Sequence, residues 1–147
     1  MDVYVCANIH VIVAEMSEHH ENGKQVSENW NAVFKALSAE PRRQLLVSLL
    51  DTPPDQSISL PQSAMMPNVP SDSERLRIEL YHVHLPMLEE MEFITAESDP
   101  LVASRGPQFG QVAAVMDMLH SEATSLPEPL VVGCQRLETE RQANPDF

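Results

Sequence analysis

The sequence predicts a mainly α-helical domain carrying one small β-hairpin, and three observations point there. Apolar residues return with a helical period in three stretches, at about 26–37, 76–91 and 109–119. Prolines and polar runs separate those stretches. Between the last two, "FITAESDPLVASRG" reads as two short strands around a turn at Ser98–Asp99–Pro100.

Residues 1–25 read as an N-terminal extension. "MDVYVCANIHVIVAE" mixes β-branched residues with no clear period, and the polar run "SEHHENGKQVSEN" follows it. The expectation is a partly disordered segment, or a start assigned upstream of a true initiator at Met16. The domain proper is expected over 26–121. Val26, Trp30, Val33 and Leu37 fall at i, i+4, i+7 and i+11, one stripe of a first helix. Ser38 reads as the N-cap of a second, "AEPRRQLLVSLL", with Glu40 and Pro41 in its first turn. The prolines of "DTPPDQ" stop it. "SISLPQSAMM" reads as a short helix opening near Ser59.

A long helix over about 73–91 follows. Ser71 and Glu74 have the S-x-x-E spacing of a capping box. Leu76, Leu80, Val83, Met87 and Met91 form one apolar stripe, and Ile78, Tyr81, Leu85 and Leu88 form another, which predicts packing on two sides. Pro86 removes a donor and crowds the His82 carbonyl, so a kink is expected near Tyr81–His82. Phe109, Val112, Met116 and Leu119 set out a last amphipathic helix ending near Ser121. Residues 122–147, broken by proline and polar at the end, read as a mostly disordered tail.

Composition narrows the function. Of 147 residues 43% are apolar but only 5% aromatic, enough for one modest aliphatic core. No apolar run reaches the roughly 20 residues that span a bilayer, so a cytoplasmic protein without membrane contact is expected. Cys6 and Cys134 form no CxxC pair, which argues against a disulfide framework or a thiolate metal cage. Acidic residues number 22 against nine basic ones, for a net charge of −13. Such a balance repels phosphate in dilute buffer. In molar salt the Debye length falls to about 3 Å, and distant carboxylates are nearly invisible to a polyanion. An acidic, lysine-poor surface suits a halophilic cytoplasm.

The order helix, helix, short helix, long helix, hairpin, helix is the layout of a winged helix-turn-helix domain, in which the helix before the hairpin enters the major groove. Two segments add a resemblance. "FKALSAEPRRQLLVSLLD" resembles the opening of ArsR-like winged-helix regulators, with its L-S-x-x-x-R pattern before a leucine-rich helix. "HVHLPMLEEMEFI" is similar to the end of their recognition helix, and its H-V-H-L-P form resembles haloarchaeal winged-helix domains. The resemblance covers roughly residues 28–120. Glu92 stands where that family usually has glycine, and the cysteine pair of its soft-metal sensors is missing from this helix. The winged-helix layout implies duplex-DNA binding, and the surplus apolar faces of the outer helices imply a homodimer.

The candidate DNA-binding residues follow. Arg75 and Arg77 sit at the start of the long helix, where a guanidinium suits guanine or phosphate. Ser71 and Ser73 offer hydroxyls there, and His82 shares the exposed face of Arg75 and Glu79. Arg42 and Arg43, opening the second helix, are candidates for the phosphate backbone. Arg105, near the end of the hairpin, is the candidate wing contact. His82 and His84 lie about 200° apart on a helix and cannot chelate one ion, so no metal is expected. His84 reads instead as a hydrogen-bonded core histidine.

No G-x-S-x-G, H-E-x-x-H or P-loop is present, and four glycines build no phosphate cradle; neither an enzyme nor a cofactor is expected. The sequence therefore points to a transcriptional regulator that dimerises through Val26–Leu37 and Phe109–Leu119. A protein-interaction module of the same fold that does not bind DNA is the alternative.

Overall fold

The apolar period that begins at Val26 folds as helix α1, residues 22–37. The computed structural model describes residues 22–66, 72–132 and 134–143. The extension expected over 1–25 lies almost wholly outside them. The chain divides into two compact units, Met1–Phe34 and Lys35–Phe147. In the first, Trp30 stacks on Phe34 with ring centroids 5.6 Å apart, and both rings are exposed.

The second unit is mainly helical with a small three-stranded antiparallel sheet. Helix α2 (Glu40–Leu50) buries Leu45, Leu46 and Leu49, and packs against α5 (Phe109–Ser121), which buries Phe109, Val112 and Met116. Full burial of one leucine side chain is worth about 2 kcal/mol, and this pair of helices contributes to a core that also takes in Leu80, Leu88, Phe93 and Ile94. Pro41 fits the first turn of α2, but the residue before the helix is Ala39, with no side-chain cap. Ser38, expected as that cap, donates its hydroxyl to Lys35 O instead (2.7 Å).

The stretch expected to open a helix near Ser59 is a strand, β1 (Ile58–Ser59), followed by one 3₁₀ turn, Gln62–Ala64. The hairpin partners explain the difference. β2 (Ile94–Glu97) pairs antiparallel with β3 (Val102–Arg105) in the register Ile94 opposite Arg105 and Glu97 opposite Val102. The free edge of β3 then takes β1, giving the order β1-β3-β2. Ile58 and Leu60 gain burial from that pairing, which a local period cannot show.

Helix α3 (Ser73–Glu79) continues through one π-helical turn, Leu80–His84, into α4 (Leu85–Glu90). The cap of α3 is Asp72, whose carboxylate accepts from the N–H groups of Glu74 (3.1 Å) and Arg75 (3.2 Å). Ser71, expected in a capping box with Glu74, lies outside the described residues. Proline explains the π turn: Pro86 cannot donate, and its ring would crowd the carbonyl four residues back. The wider turn carries the Leu85 N–H to Leu80 O, five residues back.

The extra residue in that turn also resolves the two apolar stripes. Leu76 and Leu80 of the first stripe are buried, and then Leu85 and Leu88 of the second. Val83 and Ile78 are left 48% and 55% exposed. One face is buried and its stripe changes at the bulge, so the expected packing on two sides does not occur.

Helix α4 ends in a Schellman motif. Glu92 takes the left-handed conformation at φ 62°, its N–H reaches Glu89 O, and the Phe93 N–H reaches Leu88 O. Gly106 passes so close to this bend that a Cβ there would lie 2.5 Å from Glu92 O.

The described residues after Ser121 do not form the expected tail. They hold helices α6 (Glu128–Val131) and α7 (Gln135–Ala143), with Val131 buried. Arg136 of α7 donates to Asp51 Oδ1 at 2.6 Å, and Arg141 donates to the carbonyls of Ala123 and Leu126. Charge-assisted bonds to a distant segment hold a helix that its low hydropathy does not announce.

Candidate nucleic-acid interface

The exposed side of α3 is set by its buried side. Leu76 and Leu80 face the core, so Ser73, Glu74, Arg75 and Ile78 are left in solvent, and Tyr81 and His82 continue that surface along the π turn. The Arg75 side chain is 79% exposed, and its Nε pairs with Glu79 Oε1 at 3.3 Å across one turn. The Arg77 guanidinium lies 5.7 Å from the centroid of the Tyr81 ring, a cation–π contact that restrains it. Ser73, Arg75 and Arg77 thus lie on α3 and His82 on the π turn that continues it, with Arg75 and Arg77 about 200° apart around the helix.

Arg42 does not join them. It is 5% exposed, and four of the five guanidinium N–H donors are engaged. Nε donates to Ala36 O (3.1 Å), and Nη2 donates to Lys35 O (2.9 Å) and Ser38 Oγ (2.9 Å). Nη1 donates to His84 Nδ1 at 2.8 Å. A guanidinium held by four acceptors inside the fold cannot reach a phosphate backbone, so the positioning role expected of Arg42 is corrected to a structural one. Burial lowers its basicity, and the neighbouring Arg43 adds to the effect. Arg43 is exposed, with Nη1 donating to Leu37 O at 2.6 Å.

Arg105 is likewise corrected. Its Nη2 donates to Leu49 O and Thr52 O, each at 2.9 Å, and its guanidinium covers the Phe109 ring at 4.8 Å. Carbonyls at the end of α2 lack intrahelical donors, and a cation there also meets the negative end of the helix dipole. The residue expected to carry a wing contact therefore ties the hairpin to α2. The turn it leaves behind carries exposed Glu97 and Asp99.

His84 is 7% exposed, and Arg42 fixes its state. Nη1 can only donate, so Nδ1 accepts and the ring proton sits on Nε2. Burial and then Arg42 lower the basicity of His84, while Glu79, 3.9 Å from Nε2, works in the opposite direction. Neither this contact nor the cap at Asp72 was singled out in the sequence. Asp72 had a legible signal, since aspartate caps as well as serine does. The Arg42–His84 pair spans 42 residues and had none.

Among the described residues no three His, Cys, Asp or Glu side chains are grouped to hold a metal ion, and no helix is long and apolar enough to cross a membrane. The chain matches no protein-family model, no curated protein and no solved structure.

Proposed function

We propose that the chain is a winged-helix regulator that binds duplex DNA through α3 and acts in the cytoplasm, without catalysis or a cofactor. The observation that carries this reading is the division of α3 into two sides. Leu76 and Leu80 anchor it from behind, while Arg75 and Ile78 are exposed and Arg77 is partly exposed along the rest of its surface. The order of helices, the β1-β3-β2 sheet and the hairpin after α4 are consistent with that architecture. With Arg42 and Arg105 engaged inside, the interface narrows to Ser73, Arg75, Arg77 and His82, with Arg43 at its margin. Affinity then rests on base edges and DNA shape more than on phosphate neutralisation. A homodimer completes the reading, with exposed Trp30 and Phe34 on α1 and exposed Met118 and Leu119 on α5 as apolar surface for a second copy.

Three observations favour the rival reading, a protein-interaction module of the same fold. Arg42 and Arg105 are spent on the chain itself, Arg75 is paired with Glu79, and the hairpin turn is acidic.

A polarisation titration with genomic fragments in molar potassium chloride separates the two. Saturable, sequence-dependent binding that disappears in Arg75→Ala/Arg77→Ala, with an unchanged thermal melt, is the expected result. Absence of saturable binding by the unaltered chain, at both molar and low salt, leaves the interaction module.

A further inference from the structure

Four side chains form a line from solvent to core. Arg75 Nε lies 3.3 Å from Glu79 Oε1, and the other carboxylate oxygen, Oε2, lies 3.9 Å from His84 Nε2. His84 Nδ1 accepts from Arg42, which also holds the carbonyls of Lys35 and Ala36. Side-chain exposure falls along the line from 79% at Arg75 to 41% at Glu79 and 9% at His84. Glu79 is thus the one member that touches both the proposed interface and the interior.

We propose that Glu79 is a two-position carboxylate: it stays on Arg75 while His84 is neutral, and moves onto His84 when that ring takes up a proton, freeing Arg75 for an anionic partner. The functional consequence rests on the DNA-binding reading, whose regulation it describes.

The chemistry follows from the tautomer. In the neutral ring Nε2–H already faces Glu79, and protonation places a full charge there, so a 3.9 Å approach closes to a charge-assisted hydrogen bond. Nδ1 gains a hydrogen and stops accepting, so Arg42 loses one acceptor and keeps Ala36 O, Lys35 O and Ser38 Oγ. The charged groups that bear on His84 are Arg42 from α2 and Glu79 from α3; Glu89 and Glu90 of α4 are exposed.

Burial and Arg42 hold the proton affinity below the ordinary 6.5, so the hand-over belongs to the acidic side of that value. The two events are reciprocal. A phosphate that takes Arg75 releases Glu79 toward His84 and raises the affinity of the ring for a proton. Acidification in turn favours anion binding, by at most about tenfold per pH unit for one linked proton.

The test follows the Glu79 carboxyl carbon and the His84 ring by NMR through a pH titration of the full chain, beside His84→Gln and Glu79→Gln. Glutamine at 84 keeps an acceptor for Arg42 and a donor for Glu79 but does not titrate. The expected result is an unprotonated Nδ1 at neutral pH and an inflection in the Glu79 signal at the His84 midpoint, lost in His84→Gln. In Glu79→Gln the His84 midpoint moves to lower pH, a readout that holds even if His84→Gln does not fold. A Glu79 signal without that inflection, a His84 midpoint unmoved by Glu79→Gln, or collapse of the whole amide spectrum at the midpoint would overturn the proposal. No DNA enters the titration, so a chain that fails to bind DNA can still show the hand-over, and a DNA-binding chain can fail to.

Discussion

Helices α2 and α3 each carry an arginine as third residue, and the two do opposite work. At the start of α2, Arg42 is buried against two backbone carbonyls, a hydroxyl and an imidazole. At the start of α3, Arg75 has one exposed partner on its own helix and Arg77 lies over a half-exposed tyrosine ring. The residue type is the same, and so is the position in the helix. What differs is the set of acceptors nearby. The end of α1 presents the carbonyls of Lys35 and Ala36 to Arg42, whereas Arg75 donates to the Glu79 carboxylate one turn along its own helix. An arginine is free to bind a partner only where its own fold does not need it.

The largest test of this contrast is Arg42→Ala. It removes the Arg42 donor from Ala36 O and His84 Nδ1 inside the fold, while Lys35 O keeps Ser38, and should cost about 3 kcal/mol in urea unfolding. Arg105→Ala comes next at about 2 kcal/mol, because it uncovers the last carbonyls of α2 and the face of Phe109. If either loss falls below that of Arg75→Ala, the division between structural and available arginines fails.

Stability should also fall on acidification. His84 and His120 are both held below their ordinary basicity, chiefly by burial. Each therefore favours the folded state above about pH 6.5, and that contribution is lost as pH drops through its lowered folded value. His84→Gln should flatten that dependence in chemical denaturation and leave the part due to His120.

Glu92→Gly should stabilise the chain by about 1 kcal/mol, since glycine takes φ 62° without a Cβ penalty. A loss would mean that the Glu92 side chain contributes more than its backbone strain costs. Arg75→Ala/Arg77→Ala closes the series: its effect on stability should be below about 0.5 kcal/mol, as for exposed ion pairs generally.

What was legible in the sequence was local. The stripe at Val26–Leu37, the leucines of α2, the turn at Ser98–Pro100 and the apolar positions of α5 each report on neighbours within a few residues, and their elements are where the period puts them. What was illegible came from elsewhere in the chain. β1 is two residues long and exists because β3 has an open edge. Helix α7 is held by Arg136 on Asp51, 85 positions away, so its polar composition reads as unstructured. The candidate interface divided along the same line. Arg75 and Arg77 are placed by the period of their own helix, while Arg42 and Arg105 answer to distant carbonyls.

The wide turn at Leu80–His84 is where the long helical segment accommodates one residue more than a regular helix would. Each residue of an α-helix advances the azimuth by about 100°, so the turn acts as a phase shifter between the two ends. Excising one residue there would place Leu76, Leu80, Leu85 and Leu88 at i, i+4, i+8 and i+11, so a regular helix would run through with all four still on one face. A single insertion or deletion elsewhere in the segment has no such absorber and should be tolerated less readily than a deletion within the turn.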